Sequence, residues 1–276
     1  MYLPLGRKNF EQEAKKLDDE IDLGKAALYI AEEEYQNFDS TDYIKILDEM
    51  AAKVKIRLPS ERYPLRVIQT INQYLYDELG YKGNTDDYYD PRNSFLNEVI
   101  DRHTGIPITL SVVYLEIARR LDFPMVGINM PGHFLIRPEF QNAGIFIDAF
   151  NQGEILFEQD CEERLKQMYG YPVPMEPSLI ESVGTKQILA RILTNLKFIY
   201  LNSKNWDKAL GAVERIMLLF PESLLEMRDR GLLYYHLGDW SLAYRDLKVY
   251  SQMRPNGEDA DLIRRVLEQL RRRVKT

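Results

Sequence analysis

The chain of 276 residues is 45% hydrophobic and 29% charged, which is ordinary for a folded globular protein, and it exceeds the ~250 residues at which single cores stop growing. Its 36 basic and 43 acidic residues leave a net charge of −7, which argues against nucleic acid as the main partner, and no apolar run approaches the ~18 residues that span a bilayer. One cysteine and three histidines, none in H-x3-H spacing, argue against a disulfide, a thiolate cluster or a histidine-built metal centre, and no cofactor is expected.

The opening MYLPLGRKNFEQEAKK lacks the apolar core and small-residue cleavage site of a secretory signal, so a cytoplasmic location is expected. Residues 8–80 read as helical: ALYIAEEEY, DYIKILDEMAAKVKIRL and YPLRVIQTINQYLYDELG carry apolar residues at i, i+3, i+4 spacing. A Gly-, Asn-, Asp- and Pro-rich loop follows at 81–94. Its DDYYD invites comparison with an aspartate box holding metal and diphosphate, but Gly83, Asn84 and Pro91 bracket it as a turn. A short helix (93–103) leads to TGIP and a helix over 108–121 that is apolar almost all round, with Pro107 suited to its first position. Residues 123–130 read as a buried strand. HFLIR (133–137) and GIFID (144–148) read as two more, joined by the turn-prone PEFQNA.

In the simplest hairpin register, facing residue numbers sum to 281, so His133 lies opposite Asp148 with Leu135 and Phe146 on the same face. Facing side chains in such a ladder are ~5 Å apart, close enough for a carboxylate to orient an imidazole. Cys161, in FEQDCEERL, lies beyond these strands on another helix and is out of position to act as a nucleophile.

Internal repetition appears near the C-terminal end. Aligning NWDKALGAVERIMLLFPES (205–223) with DWSLAYRDLKVYSQMRPNG (239–257) pairs Trp206 with Trp240, Ala209 with Ala243 and Pro221 with Pro255; upstream Tyr200 pairs with Tyr234, and Gly231 supplies a close helix contact. This spacing is similar to the tetratricopeptide repeat. Helices are expected near 186–201, 206–219, 224–237, 240–253 and 258–274, the last a polar-faced cap. Its run of arginines suits a helix C-terminus. Such arrays present a concave surface to peptides or helices, and the candidate partner-binding residues are Arg191, Asn195, Tyr200 and Tyr234.

The order of central helix, strand, Gly132-His133 and then Asp148 resembles the core of the transglutaminase-like, papain-related superfamily. The stretches GNTDDYYDPRNSFLNEVIDRHTGIPITLSVVYLEIARRL, PGHFLIR and FIDAFNQG resemble its SirB-type branch, which joins this core to C-terminal tetratricopeptide repeats. The resemblance implies a bacterial α+β protein: helices packed on a small antiparallel sheet over residues 1–181, then an all-α repeat module over 182–276. It makes His133 and Asp148 the counterparts of the superfamily's base and orienting acid. The superfamily's cysteine would fall at or beside Pro107, where there is no thiol. The expected function is therefore a non-catalytic scaffold or regulator that binds another protein or a peptide segment. The alternative is a peptidase or amidase using Thr109 or Ser111 with His133 and Asp148.

Overall fold

The structure, a computed structural model, describes residues 4–35, 38–140, 144–171, 173 and 176–274. It divides into two compact units, Met1–Ile192 and Leu193–Thr276.

The first unit opens with helices α1 (Leu5–Ala14), α2 (Leu23–Glu34), α3 (Ser40–Arg57) and α4 (Pro64–Asn72). Asp22 and Asp39 cap α2 and α3 by accepting from the backbone N–H groups of Lys25 and Thr41. The helix expected over 63–80 is not uniform: α4 passes into a π-helical turn at Gln73–Glu78. Beside that widening the Asn72 side chain leaves the helix, donating to the Gly153 carbonyl (2.7 Å) and accepting from the Tyr114 hydroxyl (3.0 Å). Two short strands, β1 (Lys82–Gly83) and β2 (Thr104–Gly105), pair in parallel on either side of α5 (Leu96–Arg102).

The central helix α6 (Pro107–Arg120) is the core of this unit. Every residue from Ile108 to Ala118 is buried, and α2, α3, α4 and α5 pack around it. At ~1.5–3 kcal/mol for each large apolar side chain taken out of water, this helix supplies a large share of the driving force for folding. It also packs on β3 (Met125–Ile128) and β4 (Leu135–Pro138). With β5 (Phe146–Asp148), β6 (Glu154–Leu156) and β7 (Ser182–Val183) these form an antiparallel sheet in the order β6-β5-β4-β3-β7. The other sheet face carries Ile128, Leu135, Phe146 and Leu156, covered by Cys161 and Leu165 of α7 (Glu158–Tyr169).

The hairpin register differs from the simplest one. Ile136 faces Ile147, so facing numbers sum to 283 and the connection runs over 139–145. A shift of two residues keeps every side chain on its expected face, because the strand period is two, and Leu135 and Phe146 do share one cluster. It does move each pair along: Asp148 steps opposite Leu135 rather than His133.

Helix α8 (Thr185–Asn202) begins in the first unit, where the Asp18 carboxylate caps it by accepting from the N–H groups of Thr185 (2.9 Å) and Lys186 (2.8 Å). The division between the two units, at 192/193, thus falls inside α8. The second unit continues through α9 (Trp206–Leu219), α10 (Leu224–Leu237), α11 (Trp240–Met253) and α12 (Ala260–Val274), all within two residues of the spans read from the repeats. Ala209 and Ala243 are fully buried, and Pro221 and Pro255 follow the ends of α9 and α11. Trp206 stacks on His236, and Arg273 lies over Trp240 at 4.2 Å from the ring centre.

At Gly231 α10 lies close against α11: a Cβ there would stand 2.7 Å from Leu247 Cγ. Gly231→Ala is therefore expected to destabilise the repeat unit, since overpacking of about 1–3 kcal/mol outweighs the ~1 kcal/mol gained in helix propensity. Urea denaturation followed by circular dichroism reads this directly, and an unchanged or raised midpoint contradicts it.

Candidate functional site

The N-terminal end of α6 is built by its neighbours. Thr109, in its first turn, accepts from the Ile106 N–H (3.2 Å) and donates to the Asn93 carbonyl (2.6 Å), so its hydroxyl caps the helix and ties it to the preceding segment. Thr109 and Ser111 are both buried, whereas Pro107 is half-buried. The two hydroxyls that the first turns of this helix carry therefore lie inside the core. Thr109 has its proton committed, and Ser111 is fully enclosed.

Asn93 holds the DDYYD loop in place. Its amide donates to the carbonyls of Asp87 (2.8 Å) and Tyr88 (3.2 Å), and its oxygen accepts from Asn84 (3.1 Å). Asp90 caps the next turn and pairs with Arg92 at 2.7 Å and Arg102 at 3.8 Å. Partial burial would raise its carboxyl, but the hydrogen bonds and charge of Arg92, with the charge of Arg102, hold it below the ordinary range. The motif is a turn with a paired aspartate, and no group of three or more potential metal ligands occurs among the described residues.

His133 lies before β4, not on it. It closes the turn Met130-Pro131-Gly132-His133 by donating its backbone N–H to the Met130 carbonyl (3.0 Å), with Gly132 at φ +75°, as a type II turn requires. A side chain at Gly132 would strike the Met168 sulfur at 2.5 Å. The His133 ring is half-buried and has no hydrogen-bond partner among the described residues.

Asp148 is engaged elsewhere. Its carboxylate is buried, at 1% exposure. Oδ1 accepts from the N–H groups of Phe150 (3.0 Å) and Asn151 (3.2 Å), and Oδ2 from the Asn151 amide (2.8 Å) and the Arg164 guanidinium. Glu154 faces Asp148 across β5 and β6, and Arg164 donates to it as well (2.5 Å). Two like charges directly opposite one another destabilise a ladder, so the α7 arginine between them is what lets both strands pair. The expected dyad is not formed: the acid belongs to Arg164, a residue that the sequence reading passed over.

Cys161 packs among apolar residues of the sheet and α7. Burial, only partly opposed by the nearby Arg164 charge, pushes its thiol up to about 11, so it carries no thiolate at neutral pH.

Of the candidate partner-binding residues, Arg191 is exposed and Asn195 half-exposed, four positions apart on α8. Tyr200 and Tyr234 are buried at 6% and 8%, which makes them packing residues instead of surface contacts; the Tyr234 hydroxyl donates to Glu214 (3.3 Å). A charged chain absent from the sequence reading stands out in the second unit. Lys197, nearly buried, donates to Glu226 (2.6 Å) and Asp229 (3.0 Å); Arg228 then bridges Asp229 (2.7 Å) and Asp259 (2.9 Å). Lys197 occupies the repeat position that holds Gly231 in the second repeat, and that swap was the available signal.

A buried helix packed on a small antiparallel sheet, followed by tandem helix pairs, defines an α+β core joined to a repeat module. Residues 41–194 match the transglutaminase-like superfamily, and residues 196–268 match the tetratricopeptide repeat. The UPF0162 protein of Xylella fastidiosa (strain Temecula1) is 38% identical over 251 residues, covering 90% of this chain and 89% of that protein. That of Vibrio cholerae is 28% identical over 219 residues, covering 79% and 81%. F-box only protein 21 of Homo sapiens is 32% identical over 186 residues, covering 63% of this chain but 29% of that protein. No solved structure matches the chain. The chain belongs to the transglutaminase-like superfamily and, within it, to the UPF0162 proteins.

Because Asp148 and His133 are not paired, their substitutions should separate. Asp148→Asn removes one partner of a buried ion pair and is expected to cost about 3 kcal/mol, whereas His133→Ala should cost less than about 1 kcal/mol. Equal losses in urea denaturation would mean that the two side chains work as a pair. Cys161 should resist iodoacetamide at pH 8 in the native protein and react fully in denaturant, as read by intact mass. Rapid native labelling would show an accessible thiolate.

Proposed function

We propose that this protein is a non-catalytic member of its superfamily, a SirB-type bacterial cytoplasmic scaffold or regulator that binds another protein or a peptide segment. One observation carries the reading: where a nucleophile would stand at the head of α6, the chain has Pro107, and the first hydroxyl along the helix, on Thr109, already caps it through Ile106 and Asn93. A hydroxyl nucleophile needs an aligned base to take its proton. Here the proton goes to a backbone carbonyl, and the would-be orienting acid goes to Arg164.

Binding is supported by the repeat module, since tetratricopeptide repeats generally mediate protein–protein contacts. In this reading Arg191 and Asn195 on α8 contact the partner, and His133 and Asp148 remain as remnants of the superfamily's base and acid. The half-buried His133 ring is left to meet a bound segment without cutting it.

Two assays on the full chain test this. Incubation with a fluorophosphonate, which phosphonylates activated hydroxyls with loss of fluoride, is expected to leave the intact mass unchanged. Affinity capture from a bacterial lysate is expected to recover a protein that is lost with Arg191→Ala/Asn195→Ala and kept with His133→Ala. A fluorophosphonate adduct that disappears in His133→Ala would establish the peptidase or amidase alternative and overturn the proposal.

A further inference from the structure

At the far end of α6 from Pro107, roughly 20 Å along a helix rising ~1.5 Å per residue, a cleft of about 640 Å³ opens within the first unit. Its volume suits a few side chains of an extended segment. The walls are mostly apolar: Leu115, Phe123 and Ile188 present largely buried side chains, joined by Met125 at the start of β3.

The mouth is acidic. Asp19, Asp122 and Glu139 line the cleft and are exposed, and none of their carboxylates has a hydrogen-bond or ion-pair partner among the described residues. Two further carboxylates lie deeper and are already used. Asp18 caps α8, and the buried Glu116 holds Arg119 (2.9 Å) and Arg120 (2.5 Å). Among the described residues lining the cleft the cation is Arg119, which is exposed but paired with the buried Glu116, while the carboxylates of Asp19, Asp122 and Glu139 are left without a counterpart. Anions and phosphate backbones are repelled by such a rim. A metal ion is not favoured either, because the three carboxylates do not converge.

One wall of the cleft is β7, the outermost strand of the sheet, through Ser182 and Val183. Its inner side pairs with β3 at Gly127 and Ile128, and no strand covers its outer side among the described residues. An edge strand next to an apolar cleft is the usual receptor for a chain that adds as a further strand and drops alternate side chains into the cavity. We propose that this cleft docks an extended peptide segment of a partner protein that carries lysine or arginine between apolar residues, the apolar side chains entering the cleft and the cations meeting Asp19, Asp122 and Glu139. This surface is separate from the His133 end and from the repeats, so it stands or falls independently of how those act.

The test uses the full chain and a fluorescein-labelled, C-terminally amidated peptide Val-Lys-Val-Arg-Val-Gly, with Val-Glu-Val-Glu-Val-Gly as its acidic counterpart. Fluorescence anisotropy is expected to show saturable binding of the cationic peptide that weakens with added salt, and none of the acidic one. The variant Asp19→Asn/Asp122→Asn/Glu139→Gln changes only exposed side chains, and asparagine suits the left-handed backbone at residue 122 (φ +57°). It should raise Kd about tenfold, the combined effect of three exposed ion pairs. Val183→Pro, which disrupts the edge strand, should weaken binding further, and His133→Ala should leave it unchanged. The proposal is overturned by no binding up to about 1 mM peptide, the limit of a useful interaction, by equal binding of both peptides, or by indifference to the triple variant. Loss of binding in His133→Ala would likewise overturn it by placing the peptide at the other end of α6.

Discussion

The bridge that the half-buried guanidinium of Arg164 makes to Asp148 and Glu154 is the interaction on which the first unit's sheet depends. β5 and β6 put Asp148 and Glu154 directly opposite each other, an arrangement that two carboxylates cannot sustain unaided. Arg164 reaches from α7 to both, so one cation fastens the helix that covers the sheet to the strands whose charges it neutralises. The cost of burying Asp148 is offset by four donors to its two oxygens, which leaves no lone pair well placed for a distant imidazole. In three dimensions Asp148 ties α7 to the sheet through Arg164.

Helix α6 then separates the unit's two surfaces. Its N-terminal end carries Pro107, the Thr109 cap and a run of buried side chains from Ile108 to Ala118. Its C-terminal end, where Glu116 gathers Arg119 and Arg120, opens on the acid-rimmed cleft. The transglutaminase-like scaffold is retained because the helix and sheet bury each other, and that constraint is indifferent to whether a nucleophile remains. The repeat unit follows a similar logic. Its alanines and Gly231 allow close approach of helices, while Lys197, at the position equivalent to Gly231, replaces a close contact with a nearly buried cation held by two acids. A buried pair of this kind adds little net stability but constrains the helices to one alignment.

Much of this architecture was legible in the residues alone. The 34-residue spacing of Trp, Ala and Pro placed four helices of the repeat unit because each such residue acts locally: alanine admits a neighbour, proline stops a helix. The apolar run over 108–121 announced a core helix, and alternation announced the two hairpin strands with Leu135 and Phe146 on one face, since periodicity is a property of neighbouring residues. The absence of a thiol near Pro107 was equally a matter of reading positions.

Tertiary structure decided the rest, and for one reason: each item of it depends on residues far apart in the chain. The hairpin register, with Ile136 facing Ile147, puts Asp148 off the level of His133. Arg164 was chosen over the histidine because α7 folds back across β5 and β6. The cap of α8 comes from Asp18, more than 160 residues earlier, and the burial of Tyr200 and Tyr234 follows from helices packing on one another. Local order is written in short-range spacing, whereas which carboxylate meets which cation is settled only when the elements pack.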